Sequence, residues 1–403
     1  MRSLALLILL AACGGASHRV DHPTATPAHD LANAKTAASR EPALDTNDRR
    51  AAKQPARDPR VIDLDIIRIT AHSSSPGSDP ELTSVASSDL FKQANQAAKA
   101  GRQREAIALY RQLVAEFPDS QFAPTSLFNI AAVLDAQADL AATMATLEEL
   151  VGKYPQSRES IDGQLYLAAL HADHKQWPEA HGVLDAALAR PNLTFADRIE
   201  AFARRGYVEL ELRDFDRADA SFTAALGEWR KAPRIEDPYY IAMAHYYRGE
   251  LLHQKLLAVQ VRPGDDDMVA DLDAKRALAV QAYDRWKDSL AFKQAYWATA
   301  AGYQMSQIFE ELWEAHVRAP YPHGLSAEAR VLYVREVHGK VRVDLEKALD
   351  GHRMNIELAH AYGTDTPWSL GSARQAAAIQ DLLARDAAGS YIMPGTTGAI
   401  TPP

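Results

Sequence analysis

Histidines at helical spacing are the first candidates for chemistry in this sequence. His171 and His174 are three residues apart and share one face of a helix, and His181 follows on the next predicted helix. Imidazole nitrogens can bind a metal ion, but no carboxylate stands at the spacing of a known site, and the His-Glu-x-x-His pattern is missing. We interpret the three histidines as solvated side chains on a helical surface and predict no metal site.

Three further motifs bear on ion binding or catalysis. Asp265, Asp266 and Asp267 lack the alternating ligands and terminal glutamate of a calcium loop, so we interpret them as an acidic loop between helices. Gly371-Ser372 lacks the Gly-x-Ser-x-Gly of a nucleophile elbow, and no glycine-rich phosphate loop occurs. The sequence therefore predicts no catalytic residue, no cofactor and no enzyme activity.

The overall composition excludes one class of partner. The chain has 403 residues, with 53 acidic and 44 basic side chains and a formal net charge of −9. A nucleic-acid-binding domain normally carries a basic stripe, so we predict no nucleic-acid partner. The length, about two to three times that of a typical domain, indicates several domains or a repeat array. The single cysteine, Cys13, rules out an intramolecular disulfide.

Residues 1–12 have the pattern of a secretory signal peptide, with Arg2 before an apolar run at residues 4–10. The run is far shorter than the ~18 to 20 apolar residues that span a bilayer. Leu10-Ala11-Ala12-Cys13 resembles the lipobox of bacterial lipoproteins, whose cysteine is acylated. The resemblance implies lipidation of Cys13 and, because Gly14 is not aspartate, an outer-membrane rather than inner-membrane lipoprotein that faces the periplasm. An ordinary signal peptide is the alternative.

Residues 13–88 are predicted to form a disordered tether. All Phe, Trp and Tyr residues lie from Phe91 onward, and residues 14–88 contain seven prolines. Such a segment buries too little apolar surface to offset the entropy of ordering it. Within it, residues 61–69 are rich in β-branched side chains. Two interpretations stay open: a strand that pairs with a partner's sheet or docks back on the folded domain, or an apolar stretch without a role.

From residue 89 the apolar spacing is helical and periodic. Phe117-Pro118-Asp119-Ser120 recurs 37 residues later as Tyr154-Pro155-Gln156-Ser157. Seven positions of the first unit have the spacing of a tetratricopeptide repeat, a helix-turn-helix unit of ~34 residues. They are Leu90, Ala94, Gly101, Ala106, Tyr110, Leu113 and Pro118. The chain resembles tetratricopeptide-repeat (TPR) lipoproteins of bacteria, with about four repeats over residues 89–233.

Beyond the recognisable repeats, residues 234–386 are predicted to be divergent TPR-like helical repeats and residues 387–403 a flexible tail. Helices are expected at residues 239–259, 294–317, 326–350 and 368–384. The predicted fold class is all-α, a right-handed TPR-like α-solenoid of antiparallel helix pairs with a disordered N-terminal tether.

The resemblance implies a function in protein–protein interaction. TPR arrays bind peptides or protein segments in a concave groove lined by the first helix of each pair. In this sequence the groove positions are Phe91, Asn95, Phe128, Leu165, Tyr207 and Tyr246. Their mostly apolar character departs from the Lys/Asn/Arg pattern of repeats that clamp a C-terminal carboxylate. The alternative is that these side chains pack between repeats.

The resemblance therefore implies a lipid-anchored, periplasm-facing scaffold that binds protein partners in the cell envelope and touches the membrane only through Cys13. A structural subunit of a trans-envelope machine of the outer-membrane-assembly, pilus-secretin or Tol/cell-division type is the alternative. A third possibility is an accessory of cell-wall metabolism, for which no cleft with paired carboxylates is marked.

Overall fold

The computed structural model describes residues 65–72 and 81–395, and these residues are almost wholly helical. The elements are β1 (Ile67–His72), β2 (Glu81–Ala86), α1 (Ser87–Lys99), α2 (Gln103–Glu116), α3 (Phe122–Ala136), α4 (Leu140–Lys153), α5 (Arg158–Asp173), α6 (Trp177–Leu188), α7 (Phe195–Glu211), α8 (Phe215–Lys231), α9 (Tyr239–Ala258), α10 (Asp265–Leu290), α11 (Ala295–Val317), α12 (Ala327–Ala361) and α13 (Pro367–Ala387). The predicted all-α fold class is confirmed. The signal peptide, Cys13 and residues 14–64 lie outside the described residues.

The chain divides into two compact units, and the division falls within α9, between Ala244 and His245. The described part of the N-terminal unit contains β1, β2 and α1–α8, and that of the C-terminal unit contains α10–α13 with most of α9. The boundary predicted from the sequence lies between residues 233 and 234, where the recognisable repeats end. No helix among the described residues combines the length and the apolar composition that a membrane crossing requires.

The described N-terminal unit contains four helix pairs, α1/α2, α3/α4, α5/α6 and α7/α8. Each helix packs against the next, and the first helices of consecutive pairs also contact one another. Small residues permit this close approach, since the side chains of the buried Ala94 and Ala106 take up little space between α1 and α2. In the fourth pair a Cβ at Gly206 would lie 2.6 Å from the ring of Phe222. The glycine is therefore required by the packing of α7 on α8.

The turn inside each of these pairs has one residue in the left-handed backbone conformation. Gly101, Ala138, Lys175 and Arg213 have φ angles of 74°, 58°, 57° and 63°. The backbone N–H groups of each of these residues and of the next residue bond back to carbonyls in the last turn of the first helix, at 2.8 to 3.1 Å. This is the Schellman ending of a helix. Three of the four residues are not glycine, and each holds the conformation at a cost of about 1 kcal/mol.

A β-hairpin and the first two residues of α1 occupy the end of the segment that we predicted to be a tether. In the antiparallel pair β1–β2, Arg68 lies opposite Val85 and Ile69 opposite Ser84. Val85 packs on the core of the first helix pairs, and Arg68 Nη1 lies 3.4 Å from Glu116 Oε2. Residues 65–69 therefore dock back on the folded domain, because this hairpin packs on the core of the first helix pairs and has an ionic partner on α2. Residues 61–64 lie outside the described part.

Asp65 closes the junction between the hairpin and α1. Its carboxylate accepts a hydrogen bond from Ser87 Oγ at 2.5 Å and another from the Ser88 N–H at 3.0 Å. The Ile66 carbonyl accepts from the Ser87 N–H at 3.0 Å. The first N–H groups of a helix have no partner inside it, so these contacts act as a cap. Burial opposes ionisation of Asp65, but the bonds from Ser87 and Ser88 outweigh it and lower the pKa.

The C-terminal unit continues the helix-pair packing in a divergent form. α10, α11 and α12 pack in sequence, and α13 contacts both α11 and α12. A Cβ at Gly249 of α9 would lie 2.5 Å from the indole Nε1 of Trp286 in α10, which repeats the relation of Gly206 to Phe222. The acidic run from Asp265 forms the first turn of α10, where the helix dipole favours carboxylates, and is not the loop that we expected. α12 continues past residue 350 to Ala361.

Candidate interaction site

Four of the six predicted groove residues are core residues that expose 6% or less of their surface. These are Phe91, Phe128, Leu165 and Tyr246. Phe91 stacks on Phe122 with ring centroids 4.9 Å apart, and the Phe128 ring is 6.4 Å from that of Tyr166. Leu165 lies within residues 163–170 of α5, which are all buried. Their assignment to a ligand-facing groove is corrected to packing between helices. Spacing alone did not separate the two roles, because core and groove positions recur with the same period.

Asn95 is half-buried and belongs to a polar chain that crosses three helices. Tyr110 Oη of α2 donates to Asn95 Oδ1 of α1 at 2.5 Å, and Asn129 Nδ2 of α3 donates to Tyr110 Oη at 3.2 Å. Burial raises the pKa of Tyr110 to about 12, and the bond from Asn129 only partly offsets it. The spacing of 34 residues between Asn95 and Asn129 was the signal in the sequence for this series of hydrogen bonds. The part of Asn95 that remains exposed is available to a partner.

Tyr207 is the other predicted groove residue that keeps exposed surface. Its ring lies edge-on to that of Trp177, with centroids 5.9 Å apart. Trp177 packs on the core of the third helix pair. The two rings therefore form a half-buried aromatic ledge on α6 and α7, which is the kind of surface that carries binding energy in protein interfaces. Contact of Asn95 and Tyr207 with a partner stays a prediction.

Each of the three histidines that the sequence singled out has a hydrogen-bond partner within the fold. His171 Nδ1 is 2.8 Å from Gln176 Oε1, and His174 Nδ1 is 2.8 Å from a carbonyl of its own helix. His181 Nε2 is 3.1 Å from Glu209 Oε1 and so joins α6 to α7. In residues 65–72 and 81–395, no three or more His, Cys, Asp and Glu side chains are grouped to hold a metal ion.

A buried polar network in the C-terminal unit was not found from the sequence. His253 of α9 is 1% exposed, with Nε2 2.7 Å from Glu311 Oε2 and Nδ1 3.4 Å from Glu250 Oε1. Burial opposes a charge on the ring, but the negative charges of Glu311 and Glu250 outweigh it and raise its pKa well above the ordinary value. Gln304 Nε2 bridges Glu250 and the Tyr246 hydroxyl at 3.2 and 3.3 Å. The arrangement binds helices together through an imidazolium between two carboxylates.

Glu310, the neighbour of Glu311 on α11, is in the opposite electrostatic situation. Its pKa is raised to about 8. Burial is the largest cause, and the negative charges of Glu311 and Glu314 contribute as well. Its one compensating contact is a hydrogen bond from Gln375 Nε2 of α13 at 3.0 Å. The fold therefore favours the neutral form of Glu310.

The serine of Gly371-Ser372 lies inside the C-terminal unit. Ser372 is fully buried, with Oγ 3.1 Å from His352 Nδ1 and 2.9 Å from Asn355 Nδ2. Burial lowers the pKa of His352 to about 4, so the ring is neutral. A serine beside a neutral histidine has the composition of a nucleophile and its base, but both side chains are enclosed. The contact connects α12 to α13.

A cleft of about 350 Å³ opens on α12 beside the end of α13. Its charged lining contains three cations and two carboxylates beside His338, namely Arg335, Lys340, Arg342, Glu336 and Asp386. His338 Nδ1 is 2.9 Å from Asp386 Oδ2, and Nε2 is 3.0 Å from the Ile392 carbonyl. These contacts fix the chain after α13 to α12. The cleft has a net positive lining on a chain whose net charge is −9.

The sequence of the N-terminal unit matches a known protein family. Residues 81–236 match the family described as "Tetratricopeptide repeat-like domain". Residues 81–236 form a TPR-like domain. The matched stretch comprises β2 and all four helix pairs of the N-terminal unit, and it is less than half of the chain.

Solved structures with helical repeats are similar at low sequence identity. The C-terminal part of a TPR repeat-containing protein from Cytophaga hutchinsonii is 13% identical, with 74% of this chain and 98% of that chain covered and a TM-score of 0.40. BtubC from P. vanneervenii is 14% identical, with 70% and 94% covered and a TM-score of 0.40. MamA from Desulfovibrio magneticus RS-1 is 13% identical, with 48% and 92% covered and a TM-score of 0.32. No curated protein matches the sequence. Similarity at this level says nothing about partners or function.

Proposed function

We propose that this chain is a lipid-anchored, periplasm-facing scaffold that binds protein partners in the bacterial cell envelope and does no chemistry of its own. The observation that carries the proposal is the TPR-like domain over residues 81–236. Stacked helix pairs contact only their neighbours and leave long surfaces free, so their usual role is to bind other polypeptides. The half-buried surfaces of Asn95 and of the Trp177–Tyr207 ledge are our candidate contacts.

The location in the envelope is supported by the sequence of the N-terminus. A basic residue, a short apolar run and Leu10-Ala11-Ala12-Cys13 have the order of a lipoprotein signal peptide. Gly14 after the cysteine supports the outer membrane as the destination. The fold also supports the absence of catalysis, because side chains of types that can be catalytic, such as His253 and Ser372, are buried. Each is hydrogen-bonded to a neighbouring side chain, His253 to Glu311 and Ser372 to His352.

A structural subunit of a trans-envelope machine remains the second candidate, and one observation favours it. α12 has exposed apolar side chains at Leu332, Val343 and Met354. They are eleven residues apart, close to three helical turns, so they form one stripe along the helix. A subunit covered by several partners would bury such a stripe as well as the surface of the TPR-like domain.

The proposal is tested by two measurements on the native membrane. Radiolabelled fatty acid should be incorporated into the wild type and not into a Cys13→Ala variant, and no label in the wild type would refute the anchor. Crosslinking followed by affinity capture should enrich the same few envelope proteins in repeated experiments. Tyr207→Ala should lower that enrichment, whereas Met354→Ala should lower it only if the α12 stripe is the binding surface. Equal capture by wild type and both variants would refute both surfaces.

A further inference from the structure

The outer edge of β1 is open among the described residues. The β1–β2 sheet has two strands, and β2 occupies one edge of β1. Because the Ser87 N–H bonds to the Ile66 carbonyl, Ile66 is a residue whose backbone groups point to the β2 side. The direction alternates along an antiparallel strand, so Arg68 and Thr70 also point to β2. The N–H and C=O groups of Ile67 and Ile69 therefore point away from it.

The same two residues carry exposed apolar side chains. Ile67 is 57% exposed and Ile69 is 69% exposed, whereas Arg68 turns to the other face of the sheet and bonds to Glu116. Natural edge strands are usually protected by lysine, proline or a bulge. Residues 65–70 contain no lysine and no proline, and their register with β2 runs without a bulge. Among the described residues, the edge is unprotected at Ile67 and Ile69, whose backbone groups point away from β2 and whose side chains are exposed.

We propose that β1 pairs antiparallel with β1 of a second copy of this chain and so forms a four-stranded sheet of the order β2–β1–β1–β2. A two-fold axis at Ile69 brings the outward backbone groups of Ile69 in both copies into a hydrogen-bonded pair. In that register Arg68 lies opposite Thr70 of the second copy. An axis at Arg68 would place the two arginines opposite each other, and like charges there are unfavourable. The register at Ile69 avoids this repulsion.

A second copy fits this edge better than the preceding part of the same chain. Residues 49–60 contain five Lys or Arg residues and the prolines Pro55 and Pro59, a composition unsuited to a strand. The β1 sequence is rich in β-branched residues, which suits it to pairing as a strand. When two copies pair through β1, each covers the outer edge of the other, so no edge of β1 stays open. The contact is short, which predicts a weak association that depends on concentration.

The test measures the oligomeric state of the full chain. Sedimentation velocity on the detergent-solubilised protein should show a concentration-dependent dimer. Ile69→Pro removes an outward N–H and leaves the β1–β2 bonds in place, so it should weaken the dimer about tenfold or more, a loss of about 1.4 kcal/mol. Ile69→Lys should have the same effect. Val331→Lys, at a residue of α12 with 66% exposure, is the matched control and should leave the dimer unchanged.

A spin label at Ser84 tests the geometry of the sheet. With Cys13→Ser the Ser84→Cys thiol is unique in the chain, and the protein is not acylated. Ser84 lies opposite Ile69 in β2, so the two Ser84 Cα atoms of the dimer should be about 14 Å apart, three strand spacings. Strong dipolar broadening that Ile69→Pro abolishes is expected. A monomer at all concentrations, or a dimer that Ile69→Pro and Ile69→Lys leave intact, would overturn the proposal without affecting the scaffold function.

Discussion

His253 Nε2 lies 2.7 Å from Glu311 Oε2 and joins α9 to α11 inside the C-terminal unit. The second ring nitrogen faces Glu250 at 3.4 Å, so the buried ring stands between two carboxylates. A charged hydrogen-bonded ring of this kind is stable only while both partners remain. The stability of the C-terminal unit should therefore depend on one histidine.

Replacing that histidine should destabilise the C-terminal unit. His253→Ala removes the cation that stands between the buried Glu250 and the half-buried Glu311, and the expected loss is about 3 to 5 kcal/mol. The raised pKa of His253 means that its contribution is complete below the ordinary histidine value and falls as the pH rises through the folded-state value. Urea unfolding followed by tryptophan fluorescence measures both effects. His171→Ala is the control, and an equal stability of the two variants would contradict the assignment.

The charge of Glu310 should destabilise the fold, whereas the charge of His253 stabilises it. Its folded pKa is about 8, against 4.5 for the unfolded side chain, so the fold loses stability as the pH rises from about 4.5 to about 8. Glu310→Gln keeps a group of the same shape that does not ionise. We expect the variant to be more stable than the wild type by up to a few kcal/mol at pH 8.5 and no more stable at pH 4. A gain of the same size at both pH values would show that the charge is not the cause.

The sequence predicted the helix pairs because their features are local and periodic. The Pro118 and Pro155 ends, the small residues such as Ala94 and the apolar spacing each follow from one helix and its neighbour. The network of Glu250, His253 and Glu311 joins residues up to 61 positions apart, and no local pattern connects them. The groove failed as a prediction at Phe128 for a related reason. A solvent-facing aromatic residue and a packed one have the same sequence pattern when each recurs once per repeat.

The β1–β2 hairpin was not predicted as a unit, and docking of residues 61–69 on the folded domain was one of two open interpretations, because composition is an average over a long segment. Residues 14–88 are poor in apolar residues as a whole, but Arg68 and Val85 have specific partners on the first helix pairs. The β-branched residues around Ile66 were the signal in the sequence for a strand, but nothing in the sequence identified β2 as the strand that pairs with it. β2 itself, with Glu81 at its start, contains fewer β-branched residues than β1 and gave no comparable signal.

The left-handed turn residues offer a way to stabilise the TPR-like domain. Ala138 has a φ of 58°, a conformation that glycine adopts without the cost imposed by a Cβ. Ala138→Gly should therefore stabilise the N-terminal unit by about 0.5 to 1 kcal/mol, despite the greater entropy of glycine in the unfolded chain. Ala142→Gly within α4 is the control and should destabilise by about 1 kcal/mol. Thermal unfolding followed by circular dichroism separates the two; a loss for Ala138→Gly would contradict the turn assignment.

Phe128 and Tyr207 should respond differently to truncation. Phe128 is buried between helices, so Phe128→Ala should cost about 3 to 5 kcal/mol of folding free energy. Tyr207 is half-buried, and Tyr207→Ala should cost clearly less because it leaves a smaller cavity. Chemical denaturation of both variants, beside Leu113→Ala as a second core substitution, gives the comparison. Equal losses for Phe128→Ala and Tyr207→Ala would place Tyr207 in the core.

Site-specific photocrosslinking in the native cells tests the scaffold function most directly. A photoreactive residue is placed at Tyr207 and, in a second variant, at Asn95, with Phe128 as the buried control and Cys13→Ala as the unanchored control. We predict discrete adducts with envelope proteins at Tyr207, few or none at Phe128, and fewer at Tyr207 when Cys13 is replaced. Protein adducts of equal yield at the two positions, or none at Tyr207 and none at Asn95, would contradict the proposal that this surface binds protein partners.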